Sequence, residues 1–311
     1  MKRIDIEIRT SKPSPTRCGI YGCGRTGTAI AYTLMKSGVC KDLVLADPDP
    51  RRALREAAAL SGALPFCSHT DIYSGDEEEL AECGVIVFAL EADADEETLS
   101  ARLRKTVTKI IEFGTEPILL NATYPLERMT QVLHEASGLL HGRVFGVGCV
   151  TECVRLRKML GRHLAVNSAA ISVFLVGGSV EDTIPIWSQA NVAGISLSHY
   201  CAICGRGYDV GVMDGLFRTA WEQSGESPYT VAESVRRILL AIVRDENVIL
   251  PLTCPVEGHY GLDNLSLCLP SVIGRSGVRR VLEIPLDDAE ERHLRKVAER
   301  LKGFCGGDPF L

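Results

Sequence analysis

Two hydrophobic periodicities alternate along the first half of the chain. Short continuous apolar runs, the mark of strands buried on both faces, stand between longer segments whose apolar positions recur every three to four residues. The run at Ile20-Tyr21 leads into Gly22-Cys23-Gly24-Arg25-Thr26-Gly27 and then into Thr28-Ala-Ile-Ala-Tyr-Thr-Leu-Met, which reads as a strand, a tight turn and a helix. Further strands are predicted over 43–46, 83–90, 117–122 and 143–148, with helices over 50–60, 98–113 and 126–135. Strand and helix alternating in this way predict an α/β fold of the Rossmann kind, with a parallel, doubly wound sheet and right-handed crossovers.

The pattern changes near residue 150. A helix over 151–160, an apolar strand over 169–176 and a run of shorter strands follow. Then come a long helix over 229–245, strands over 248–252 and 266–270, and a charged amphipathic helix over 287–302. The breaker-rich Lys12-Pro13-Ser14-Pro15-Thr16 sets off an N-terminal arm. The organisation read from these changes is an arm over 1–17, a nucleotide-binding domain over 18–149 and a mixed α/β substrate domain over 150–311.

Composition narrows the class. With 311 residues, 46% hydrophobic and 24% charged, the chain can bury a large core and is long enough for two domains. A net charge of −6 argues against a nucleic-acid partner, which would call for a basic face. The N-terminus alternates polar and apolar residues instead of forming a signal peptide, and no stretch approaches a membrane span, so the expectation is a cytoplasmic protein. The twelve cysteines are scattered through apolar segments and read as small core residues in a reducing compartment. Cys201-Ala-Ile-Cys204 has no second pair nearby to complete a zinc site, so no metal is expected, and His199 and His259 read as structural.

The glycine turn carries the first chemistry. Gly22 permits a sharp turn, Gly24 lets backbone N–H groups approach a pyrophosphate, and Gly27 lets the helix pack close to the strand. About 20 residues further on, the second strand ends in Asp47, where a carboxylate can hold a ribose hydroxyl. The expected cofactor set is Gly22, Cys23, Gly24, Arg25, Thr26, Gly27 and Asp47, with Ala89 at the end of the strand over 83–90. Asp47 favours NAD over NADP by repelling a 2′-phosphate, although Arg51 and Arg52 stand close by.

Three stretches of the C-terminal half, Ile184-Pro-Ile-Trp-Ser-Gln-Ala-Asn-Val-Ala-Gly-Ile-Ser-Leu, Glu257-Gly-His-Tyr-Gly-Leu and Leu269-Pro-Ser-Val-Ile-Gly-Arg-Ser-Gly-Val, with Leu286-Asp-Asp-Ala-Glu-Glu after them, resemble the lactate and malate dehydrogenases in order and spacing. The resemblance runs from about residue 18 to residue 302. It implies NAD as cofactor, an active site in the cleft between the two domains, a small carboxylate substrate, and a homodimer or homotetramer.

The positions that carry the family's chemistry depart from its pattern. Counting back from Pro185, the family's proton-transferring histidine falls on Ser179. The family's Leu-Asp-Ser-Ala-Arg appears as Thr151-Glu152-Cys153-Val154-Arg155, which puts Glu152 at the position of the carboxylate that orients the histidine and Arg155 at that of the arginine gripping the substrate carboxylate. Its Asn-Pro-Val-Asp matches Tyr124-Pro125-Leu126-Glu127, so Tyr124 stands where an asparagine touches the reacting oxygen. The mobile loop from Glu91 onward has no arginine before Arg102. Each position also has a plainer reading: Arg155 as a packing salt bridge, the loop carboxylates as complements to a helix dipole, Ser179 as a small polar filler and Tyr124 as a core aromatic. The expectation is an NAD-dependent oxidoreductase with an altered active site, acting on a 2-oxo or 2-hydroxy acid or on a carboxylate-bearing imine, with Glu152, Glu91 and Asp93 as neighbours of an iminium cation. The alternative is a catalytically silent NAD-binding homologue with a sensing or assembly role.

Overall fold

A computed structural model of the chain describes residues 14–67, 70–91, 95–178, 182–205, 207–222 and 227–305. The apolar run ahead of the glycine turn is β1 (Ser14–Tyr21), paired in parallel with β2 (Asp42–Ala46) on one side and β4 (Cys83–Phe88) on the other. Every residue of β4 is buried, as a strand covered by helices on both faces must be. With β3 (Asp71–Ser74), β5 (Ile118–Asn121) and β6 (Val144–Gly146) the parallel strands lie in the order β3-β2-β1-β4-β5-β6. The winding reverses between β1 and β4, and an open α/β sheet binds its ligands in the crevice that such a reversal opens at the carboxyl ends of the strands.

The connecting helices are α1 (Arg25–Ser37), α2 (Pro50–Ser61), α3 (Glu77–Ala81), α4 (Glu96–Glu112) and α5 (Leu126–Ser137). Strand β1 begins at Ser14, so part of the breaker-rich stretch is already in the sheet. Among the described residues no helix is long and apolar enough to cross a membrane.

The second half adds α6 (Val150–Leu164), β7 (Ile171–Gly177), β8 (Thr183–Val192), β9 (Ile195–Ser196), α7 (Leu197–Ile203), α8 (Val210–Glu222), α9 (Pro228–Arg244), β10 (Val248–Glu257), β11 (Asp263–Gly274), β12 (Gly277–Val281) and α10 (Asp288–Cys305). Its strands pair antiparallel, and β10 continues the sheet by bridging Thr253 to Gly146 of β6. Where a series of short strands is expected, β8 is one long strand and two helices follow it. The reason is visible in α8: Met213, Leu216 and Phe217 recur at helical spacing in the core beside α6, and Asp209 accepts from the N–H groups of Gly211 and Val212 to start the helix.

Two features aim this frame at the crevice. Helix α9 lies against α1, and Ile30 and Leu34 share one core with Val235, Ile238, Leu239 and Ile242. Asn121, fully buried at the end of β5, organises the loop beyond it: its amide donates to the carbonyls of Thr123 and Leu126 and to Thr130 Oγ1, and its oxygen accepts from Thr123 N–H. Thr123 Oγ1 in turn accepts from Leu90 N–H at 3.0 Å, which ties that loop to the segment leaving β4.

Helix α1 can dock on β1 only because Gly27 has no side chain, since a methyl there would run into the carbonyl oxygen of Gly22. Gly27→Ala is therefore expected to lower stability by about 2 kcal/mol or more, the cost of forcing atoms into a filled interior. Gly62→Ala is the control, at φ −62° with its nearest neighbour at 3.4 Å, and it should leave the denaturation midpoint almost unchanged. Equal midpoints for the two variants would show that α1 can shift outward at little cost.

Candidate active site

The turn between β1 and α1 is held from behind by backbone. Gly22 has φ +108° and lies against the carbonyl of buried Ala89, so that any side chain would strike that oxygen at 2.5 Å. Gly22 N–H donates to the Ala46 carbonyl at 2.8 Å, and Ala89 N–H to the Tyr21 carbonyl at 2.8 Å. Cys23 is buried; its thiol contacts the Ala46 carbonyl, and burial, reinforced by the charge of Asp47, pushes it up to about 12. It is a neutral packing group, and its backbone is the part that can act.

Asp47 stands at the end of β2 facing this turn. One carboxylate oxygen accepts from Cys23 N–H at 2.7 Å and the other from Asp49 N–H at 2.9 Å. Two backbone donors fix the carboxylate at the mouth of the groove, where its remaining lone pairs can take ribose hydroxyls.

The first amide of α1 is already engaged. Arg25 N–H donates to Glu91 Oε1 at 2.6 Å, while Glu91 Oε2 lies 3.6 Å from Arg52 Nη1. The Glu91 side chain also covers the open face of Gly24. An anion thus sits on the positive end of the helix, where the glycine turn would present a phosphate. Ionic attraction to a half-exposed arginine adds little by itself; the charge-assisted hydrogen bond to the helix end is the stronger contact.

Two adjoining cavities surround this contact. One, of about 570 Å³, is lined by Gly24, Arg25, Thr28, Arg52, Glu91 and Tyr229, and the other, of about 200 Å³, by Arg25, Thr26, Glu91, Tyr124 and Val231. The N-terminal end of α9 forms one wall of both through Pro228. Tyr124 and Thr26 therefore share a cavity with Arg25.

Arg155 and Glu152 lie one turn apart on α6, both half-buried. Arg155 Nη2 donates to Thr230 Oγ1 of α9 at 3.3 Å, and Thr151 Oγ1 lies 2.6 Å from Ser234 Oγ of the same helix. Neither Arg155 nor Glu152 lines either of these two cavities; Arg155 meets α9 at Thr230, the residue before the lining residue Val231. Burial raises the carboxyl of Glu152 above its ordinary range, and the Arg155 charge offsets part of that.

Ser179 and Asp93 lie outside the described residues. The flanks of the segment that holds Ser179 reach the start of α6, where Cys149 Sγ contacts the Gly178 carbonyl and Thr183 Oγ1. Residues that sequence reasoning did not pick out here include Asn121, Thr123, Thr28 and the N-terminal end of α9. Only the buried, helix-preceding Asn121 carried any signal, as a polar residue closing an apolar strand.

Residues 219–304 match the family model for the lactate/malate dehydrogenase α/β C-terminal domain. An L-lactate dehydrogenase of Thermoanaerobacter sp. (strain X514) is 35% identical over 301 residues, covering 92% of this chain and 97% of its own length. That of Acetivibrio thermocellus is 31% identical over 298 residues, covering 91% and 94%. Among solved structures, the minor L-lactate dehydrogenase from Enterococcus mundtii superimposes with a TM-score of 0.86 at 24% identity, over 96% of this chain and 100% of its own, which shows a common fold.

Two outcomes follow from this geometry. Glu91→Ala removes the carboxylate from the helix end and should tighten NADH binding about fivefold or more, the scale of one charge-assisted contact at a helix terminus. Fluorescence titration reads it, and unchanged or weaker binding would mean that Glu91 does not compete with phosphate. Glu152 gives a pH signature. Its carboxyl is raised in the folded state, so its favourable contribution is present below the ordinary carboxyl range near ~4.3 and is lost as pH rises through the higher folded value. Glu152→Gln should therefore raise the melting temperature at neutral pH, with the gap to wild type closing in acid; a gap independent of pH would refute the assignment.

Proposed function

Because the chain belongs to the lactate/malate dehydrogenase family, we propose that it is an NAD-dependent oxidoreductase that holds a small substrate by one carboxylate, a 2-oxo or 2-hydroxy acid or the corresponding imine. The observation that carries this reading is the groove at the β1–β4 reversal, with the glycine turn and Asp47 beside a cavity lined by Tyr124.

The residues present fit a dinucleotide. Gly24 has no side chain of its own to displace and is covered only by the Glu91 side chain, the Arg25 N–H at the start of α1 points to that carboxylate, and Asp47 is fixed to accept hydroxyls. When bound, the nicotinamide supplies or takes up hydride. Arg155 can form a forked pair with a carboxylate, Thr230 steadying its guanidinium. Tyr124 can donate to a developing oxygen as a neutral phenol, and Glu152 can hold a proton or, ionised, face a cation. A ketone needs a proton donor together with the hydride, whereas an iminium ion already carries the positive charge. With Ser179 at the position of the family's histidine, this set suits the imine better.

A second reading, a catalytically silent NAD-binding homologue kept for sensing or assembly, is favoured by one observation: Glu91 holds the amide that phosphate would use. We also propose a homodimer or homotetramer, supported by the exposed apolar side chains Ile195, Ile203, Val210 and Val212, and checked by light scattering.

NADH oxidation with a cyclic imino acid and with the matching 2-oxo acid separates these readings. The imine should be the better substrate, and Arg155→Ala should raise KM by roughly tenfold to a hundredfold, the worth of a charged hydrogen bond. A preference for the oxo acid, abolished by Tyr124→Phe, would replace the imine reading with a tyrosine-assisted ketone reductase. Failure of every substrate alongside clear NADH binding would favour the silent homologue.

A further inference from the structure

Away from the groove, the C-terminal end of α5 brings together three metal-ligating side chains. Gly138 closes that helix in the left-handed conformation at φ +59°, and the chain turns back so that His141 returns beside His134 in the last turn. Their rings lie 5.3 Å apart between centroids and are inclined at 44°. The third group, Glu257, comes from the end of β10, and its Oε1 lies 2.6 Å from His141 Nε2. One ligand atom from each residue lies within 4.8 Å of the other two.

We propose that His134, His141 and Glu257 form a binding site for one divalent transition-metal ion of the zinc class. Two imidazoles and a carboxylate suit zinc, cobalt or nickel; magnesium and calcium take oxygen ligands throughout. In a tetrahedral site with bonds of about 2.0–2.2 Å the donors stand roughly 3.3 Å apart, so closure needs shifts of about an ångström. Exposed His141 and Glu257 are free to make them, while half-buried His134 serves as the anchor. Burial and the neighbouring His141 hold the His134 imidazole below its ordinary value. Three protein ligands leave the fourth position to water.

The ion would brace two segments that no covalent link joins. Helix α5 packs along β10 and β11, and Gln131, one turn before His134, accepts from Ser266 of β11 at 2.9 Å. A metal at the helix end adds a fixed point at the edge of that contact. Tyr124 precedes the opposite end of α5, about 18 Å away for a helix of this length, so the site is separate from the cofactor groove.

The test uses the full chain stripped with a chelator and titrated with cobalt(II), then with zinc by calorimetry. One equivalent should bind and give visible d–d absorption without a thiolate band, and zinc should raise the melting temperature. His134→Ala and His141→Ala should each weaken binding about tenfold or more and abolish the thermal shift, and Glu257→Gln should weaken it less. Circular dichroism without metal and NADH titration check that the variants keep their fold. A thiolate band would place the metal on cysteine, and affinity unchanged in both histidine variants, or no saturable binding below about millimolar metal, would equally overturn the site.

Discussion

The absence of a side chain at Gly27 is the constraint from which the rest of the molecule follows. It lets α1 rest on the Gly22 carbonyl at the end of β1 and so fixes the line along which the helix axis points into the crevice. A helix end held there must be met by negative charge. In this chain Glu91 meets it from within, by way of the link from Asn121 through Thr123 to Leu90. The helix end that could receive a phosphate thus already satisfies a carboxylate of the protein, and any anion arriving there would have to displace it from that amide.

The parallel half was legible because its strands are unbroken apolar runs and its helices carry regular stripes; both are local patterns. The parts that escaped lack them. β3 has only one buried residue among its four, too little to register as either strand type. Gly211 and Gly215 lower the helical character of α8, and the apolar spacing of Met213, Leu216 and Phe217 has meaning only once α6 supplies the surface they cover.

The site divides in the same way. The glycine turn is a local spacing that the sequence itself displays, whereas Glu152 and Arg155 stand out only through the family resemblance. The contact of Glu91 with Arg25 joins residues far apart in the chain, and the seating of Arg155 on Thr230 depends on α9 reaching back across the sheet. His134 and His141 meet Glu257 only because β10 delivers it beside the end of α5. Long-range closure is what one-dimensional pattern cannot carry.

The packing of α9 on α1 has a consequence for how the protein is made. Synthesised from its N-terminus, the chain completes all six parallel strands while the side of α1 that meets α9 is still uncovered and the outer edge of β6 lacks β10. Both await residues 228–257. Until the last third of the chain emerges, the nascent N-terminal unit therefore presents an apolar helix face and an unpaired strand edge to water, the two kinds of surface through which partly made chains aggregate.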